Sequence, residues 1–259
     1  MKPVLDPNAL AGKTVLVTGA SRGVGAAVAR ALAAANANVV AHCRDRVDGA
    51  AEAVAALPEE QKLVLKADLR TPDACRTLWR EATAWRNGVD VLVLNAAVNL
   101  DTPVDGPDHV WDAAWAETMQ VNVLGAGALM REAVRAFAER GEGTVIVLSS
   151  WAAQQGSRLV DISAYAASKA AIRNLAQTFA RNYAHRGVKV HILAPGVLDT
   201  GMSTAGKDDA AIEATNRGLA MGRATGGDEV ASVIAYLATG AAPGLTGSTL
   251  DINGASYIR

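Results

Sequence analysis

Short apolar runs of strand length alternate with alanine-rich stretches of helix length along this chain, and that alternation restricts its fold more than any other feature. Strand candidates fall at 14–18, 38–42, 63–66, 89–94, 144–149, 189–193 and 249–252. Most are continuously apolar, as strands covered on both faces require. Helix candidates lie between them at 24–35, 48–56, 72–85, 111–140, 164–186 and 228–238, each long enough for a crossover. Gly12, Gly88, Gly143 and Gly187 punctuate the joins. The reading is an α/β chain with a doubly wound parallel sheet of about seven strands flanked by helices. With no linker, repeat or low-complexity block, residues 1–259 are expected to form a single domain. The stretch 201–225 lacks clear periodicity and is expected to act as a lid over a site.

Bulk properties exclude several function classes. The formal net charge is -1, so no global field draws in nucleic acid or an anionic membrane. Cys43 and Cys75 are too few for a disulfide framework and read as free thiols in a reducing cytoplasm. The opening MKPVLDPNALAG has no apolar run fit for a signal peptide, and no stretch approaches the roughly 20 apolar residues of a membrane helix. A cytoplasmic chain is expected. His42, His109, His185 and His191 show no metal-ligand spacing, so no metal is expected, and the GxSxG elbow of many hydrolases is absent.

The first strand candidate runs into Thr18-Gly19-Ala20-Ser21-Arg22-Gly23-Val24-Gly25, and a helix follows. Glycines often do no more than turn a chain. Between the first strand and first helix of an α/β chain, however, they let backbone approach a pyrophosphate and aim the helix N-terminus at it. Further along, Tyr165-Ala166-Ala167-Ser168-Lys169 places a phenol and an ammonium at i and i+4, on one helix face. A YxxxK pair is usually just helix surface. Here it follows Ser149-Ser150 at the end of the fifth strand candidate. Free tyrosine has a pKa of about 10, and the ammonium together with the positive nicotinamide of an oxidised cofactor is expected to lower it. Such a phenol can hand a proton to a carbonyl receiving hydride, while a serine hydroxyl stabilises the growing charge. Ser150 is preferred to Ser149, which completes an apolar run and is expected to point into packing.

The TGxxxGxG spacing, with the motifs after it, resembles the short-chain dehydrogenase/reductase family from Lys13 to about Gly254, nearest the 3-oxoacyl-carrier-protein reductase branch. The resemblance implies a Rossmann-like fold, a nicotinamide cofactor, and catalysis by Asn122, Ser150, Tyr165 and Lys169, with Asn122 holding a relay water behind the lysine. By the same resemblance Gly19, Ser21, Arg22, Gly23, Val24 and Gly25 cradle the pyrophosphate. Asp68 and Leu69 meet the adenine, and Asn95 and Ala96 close the fourth strand, with Ala97 where the family usually has glycine. Tyr165 and Lys169 also touch the cofactor, and Pro195, Gly196, Val197 and Thr200 match the PGxxxT that holds the carboxamide. The acid that reads an NAD ribose would fall at Cys43, which cannot do so. Arg44 and Arg22 suit a 2′-phosphate, so NADPH/NADP+ is expected over NAD(H), with Asp45 the dissenting residue.

The implied activity is NADPH-dependent reduction of a ketone or aldehyde to an alcohol. The alternatives are an alcohol or polyol dehydrogenase working oxidatively, and a non-catalytic nucleotide-binding regulator. The resemblance places Trp151, Gln154, Gln155, Arg158 and Leu159 on one wall of a substrate pocket, Val98, Asn99 and Leu100 opposite, and Met202 and Met221 beside the lid. The helices at 111–140 and 164–186 carry more apolar residues than one buried stripe needs, and the tail 250–259 stays apolar. A homo-oligomer, tetramer or dimer, is expected from them.

Overall fold

A computed structural model describes residues 6–157, 159–200 and 208–258. Its centre is a seven-stranded, wholly parallel sheet in the order β3-β2-β1-β4-β5-β6-β9. The strands are β1 (Thr14–Val17), β2 (Asn38–Cys43), β3 (Lys62–Lys66), β4 (Val91–Leu94), β5 (Gly143–Leu148), β6 (Val188–Pro195) and β9 (Thr249–Ile252). Side chains of a strand point alternately to its two faces, and that alternation sorts the apolar runs into two cores. Val15, Val17, Val39, Ala41, Val91, Val93, Ile146 and Leu148 lie in one; Leu16, Val40, Leu92, Leu94, Val145 and Val147 lie in the other. Both faces are buried, which is why the strands read as continuous rather than alternating.

The first core is roofed by α1 (Gly23–Ala34), α2 (Val47–Ala53) and α9 (Gly227–Ala238). The second is roofed by α3 (Pro72–Ala84), α5 (Ala126–Arg140) and α7 (Ser163–Tyr183). The chain leaves β1 for β2 on one side of the sheet, while β4 lies on the other side of β1. That reversal opens a crevice beyond the carboxyl ends of β1 and β4, where ligands of such sheets bind.

Two expectations are corrected. The helix expected at 111–140 begins earlier, as α4 (Asp108–Met119), and a π-helical turn at Gln120–Gly125 separates it from α5. Its wider loop carries Asn122, whose side chain reaches across to the backbone of Val98. The segment 201–225 is not featureless where it is described. Asp208 caps α8 (Asp209–Arg217) by accepting from the Ala211 N–H at 2.8 Å. This helix is short and largely exposed, with Ile212 its one large apolar residue. Beyond it β8 (Thr225–Gly226) pairs with β7 (Leu198–Asp199), tying the segment's far end to the chain after β6. Residues 201–207, Met202 among them, and Arg158 lie outside the described residues. Among the described residues no helix is long and apolar enough to cross a membrane.

Candidate active site

The glycine turn is held at the crevice by neighbours on both sides. Thr18, buried at the end of β1, donates through Oγ1 to the Val93 carbonyl and accepts from the N–H groups of Asn95 and Ala96. The Asn95 amide donates to the carbonyls of Thr18 and Gly19 at 2.8 and 3.2 Å. Asn95 thus clamps the exits of β1 and β4 together. A Cβ on Gly25 would overlap the Gly19 carbonyl oxygen and lie 2.5 Å from the Asn95 amide nitrogen. Gly23 takes a positive φ of 55° and faces the Thr200 side chain, so the first and last cofactor motifs meet. Ser21, Arg22, Gly23, Asp199, Thr200 and Gly226 line part of a cavity of about 470 Å³ at this junction.

The start of α1 suits a pyrophosphate. Arg22 at its N-cap makes no side-chain capping bond, and the first turn carries no acid. Its leading N–H groups and partial positive charge therefore face outward toward an anion. Val24 is buried behind them.

Beyond β3, the Asp68 carboxylate is gripped by Arg70, with Nε at 2.9 and 3.0 Å and Nη2 at 2.5 Å. That hydrogen bonding holds its pKa below the usual carboxylate range. Leu69 is buried, its carbonyl pressed against Gly125 of the π turn, where a Cβ would overlap it. Arg44 pairs with Asp45 at 2.5 Å, both half exposed. Such a pair is worth at most about 1 kcal/mol, which leaves Arg44 able to turn to another anion.

At the other end, Tyr165 and Lys169 rise from the first turns of α7 beside the end of β5. Lys169 is buried and donates to the Leu148 carbonyl at 2.7 Å, its Nζ 5.6 Å from the Tyr165 ring centre. Desolvation brings its pKa down to about 8. The Tyr165 phenol meets the Ser150 side chain, and Ser150 Oγ also accepts from the Ala152 N–H at 3.2 Å. Ser149 instead donates to the Lys169 carbonyl, turned away into packing. The protein's own groups do not lower the tyrosine pKa. Burial pushes the phenol up, and the Ser150 hydrogen bond acts the other way without cancelling it. A phenol that stays protonated at neutral pH is suited to donating a proton.

Asn122 accepts from the Val98 N–H and donates to the Val98 carbonyl, both at 2.9 Å, and to Ser168 Oγ at 3.0 Å. Its side chain thereby ties the chain after β4 to α7. The backbone after β6 is anchored in turn. Pro195 accepts from the Trp151 N–H, Gly196 donates to Ile252, and Val197 accepts from Thr225, each at 3.0 Å. Of the expected substrate wall, Trp151 is half-buried and Leu159 exposed, while Gln154 is turned to Arg173 on α7. Met221 abuts Gly254 of the tail.

Sequence reasoning missed His42, Arg70, Gly49 and Gly125. Gly49 lies in the first turn of α2, where a Cβ would stand 2.5 Å from the Ser21 carbonyl oxygen. A histidine inside an apolar strand did carry a signal, since a buried polar ring needs partners.

Glycine turn, phenol and ammonium, arranged along the carboxyl ends of a doubly wound sheet, define a dinucleotide-dependent oxidoreductase site. A family model described as short chain dehydrogenase matches residues 13–211. The 3beta-hydroxysteroid dehydrogenase 1 of Eggerthella lenta is 36% identical over 95% of this chain and 94% of its own length. The 3-oxoacyl-(acyl-carrier-protein) reductase FabG of Escherichia coli K12 is 31% identical over 95% and 98%. A solved structure from Brucella melitensis, titled a short-chain dehydrogenase/reductase of glucose/ribitol dehydrogenase type, superposes with a TM-score of 0.87 at 28% identity, covering 98% of this chain and all of that one. The chain belongs to the short-chain dehydrogenase/reductase family.

Proposed function

We propose that this oxidoreductase reduces a ketone or aldehyde to an alcohol with NADPH, Tyr165 acting as general acid. The observation that carries the reading is a buried Lys169 with its Nζ 5.6 Å from the Tyr165 ring centre, beside buried Ser150 at the carboxyl end of β5. Bound nicotinamide supplies the hydride. Ser150 Oγ donates to the substrate oxygen, and Tyr165 passes its proton to that oxygen as charge builds there. The phenolate left behind is stabilised by the Lys169 ammonium, and Leu148 holds that ammonium in place. Asn122 fixes the α7 start relative to the chain after β4.

The test is NADPH oxidation by the purified protein across a panel of 3-oxoacyl thioesters, cyclic ketones and aldehydes. Turnover of none of them would overturn the reading. Two relatives take their names from dehydrogenation, of a 3beta-hydroxysteroid and of cis-4-hydroxycyclohexanecarboxylate, so oxidation of ring alcohols is the second reading. The same panel run backward with the alcohols separates the two.

The preference for NADPH rests on Arg22, Arg44 and the uncharged Cys43. NADPH is expected to bind at least about tenfold more tightly than NADH, or about 1.4 kcal/mol. In Arg44→Ala the gap should shrink to about threefold, because one of two guanidiniums facing the 2′-phosphate is gone. Fluorescence titration measures both, and equal affinities in the wild type would mean that Asp45 reads the ribose.

The buried free thiols Cys43 and Cys75 suit a reducing cytoplasm. Assembly as a tetramer or dimer is supported by exposed Leu124 and Val110 beside α4 and α5, and by Ile258, 78% exposed in the tail. Light scattering at micromolar concentration tests it, and a monomer mass overturns it.

A further inference from the structure

His42 is buried, at 2% exposure, near the end of β2, with hydrogen bonds from both ring nitrogens. The Gly19 N–H donates to Nδ1 at 3.2 Å, and Nε2 lies 3.1 Å from the Ala67 carbonyl oxygen. A backbone N–H can only donate and a carbonyl can only accept, so one state satisfies both: the neutral ring with its proton on Nε2. The His42 carbonyl also accepts from the Ala20 N–H at 2.8 Å. One residue therefore holds two successive amides of the glycine turn, and through Ala67 joins them to the segment carrying Asp68 and Leu69.

We propose that neutral His42 is a positioning residue for dinucleotide binding, fixing the pyrophosphate turn and the adenine-side loop relative to one another. The inference rests on the dinucleotide reading of the site, not on which cofactor or substrate is used. Protonation would turn Nδ1 into a donor facing the Gly19 N–H, and the turn would lose that anchor. Burial already holds the ring below the ordinary histidine value, with the hydrogen bond to Ala67 acting the other way. The native state thus binds this proton less readily than the unfolded chain. Its contribution to stability is full above the unfolded pKa and is lost as pH falls toward the native one.

Ionisable side chains border this end of the sheet. They are Arg44 and Asp45 after β2, Lys66 on β3, Asp68 and Arg70 beyond it, Cys75 on α3 and Glu117 on α4. Among the described residues none of them hydrogen-bonds the His42 ring. The ring is therefore the group at this joint whose protonation state decides whether Gly19 is held.

The test combines a spectrum with titrations of NADH and NADPH, scored on whichever binds the wild type. Nitrogen NMR of the imidazole at pH 7.5 (about one unit above the free histidine pKa) should show the proton on Nε2. His42→Phe keeps an apolar ring but leaves Gly19 without an acceptor, and should raise the cofactor dissociation constant about tenfold or more. His42→Asn supplies a short amide oxygen for Gly19 and should recover most of that loss. Wild-type affinity should fall as pH drops below the histidine range, and His42→Asn should lack that acid-side step. A proton on Nδ1 would overturn the proposal, as would wild-type affinity in His42→Phe or an unchanged acid-side step in His42→Asn. Should His42→Phe not fold, the spectrum and the asparagine variant decide alone. Failure of the wild type to bind either cofactor would overturn the dinucleotide reading together with this one, whereas failure to reduce any carbonyl would leave these outcomes unaffected.

Discussion

Tyr165→Phe is expected to lower turnover by about 10³-fold, within the range that a positioned general acid contributes. The substituted ring keeps the half-buried packing of the tyrosine, and Lys169 keeps its separate anchor on Leu148. What disappears is the hydroxyl that meets Ser150 and carries the transferable proton. Cofactor affinity should therefore change by less than about twofold, and the loss should appear in the chemical step rather than in binding. Single-turnover reduction of a substrate accepted by the wild type measures the first quantity, and fluorescence titration the second. A variant retaining most of the wild-type kcat would remove Tyr165 from the mechanism.

Gly25→Ala should abolish measurable cofactor binding and lower the melting temperature. The new methyl would overlap the Gly19 carbonyl and sit 2.5 Å from the Asn95 amide nitrogen. Neither can retreat cheaply, because that amide clamps the carbonyls of Thr18 and Gly19. Overpacking of this kind costs about 1–3 kcal/mol. In a chain of this size that corresponds to a drop of roughly 2–12 °C, toward the upper end for a clash with fixed backbone. The pyrophosphate turn must open to admit the methyl, so the binding loss should exceed the stability loss. Gly23→Ala is the internal comparison. Its Cβ would meet nothing nearer than Thr200 at 3.8 Å, and only the positive φ of 55° opposes it. That strain is about 1–2 kcal/mol, so Gly23→Ala should melt a few degrees below the wild type and above Gly25→Ala. Equal melting losses in the two variants would mean that backbone strain, not the Gly19 clash, governs the turn.

Much of the site was legible in linear order because each motif sits where a strand ends. Thr18 to Gly25, Asn95 with Ala96, Ser150, and Pro195 to Thr200 follow β1, β4, β5 and β6, and a parallel sheet delivers all such ends to one edge. Tyr165 and Lys169 join them by helix periodicity alone. The helix at 209–217 escaped notice because it is short and mostly exposed, with Ile212 its one large apolar residue. The π turn escaped because Asn122 and Gly125 serve partners at Val98 and Leu69, far off along the chain.

By itself the sequence determined the covered parallel sheet, the alternation of its strands and helices and the chemical types along its carboxyl edge, since periodicity and strand-end position are local properties. Tertiary structure alone decided how those groups are held and charged. It put the His42 ring between Gly19 and Ala67 and directed Lys169 to Leu148. Burial then raised the Tyr165 pKa where the neighbouring cation had suggested the reverse. Hydrogen-bond partners and desolvation belong to residues brought together across the fold, and one-dimensional spacing does not encode the distance between them.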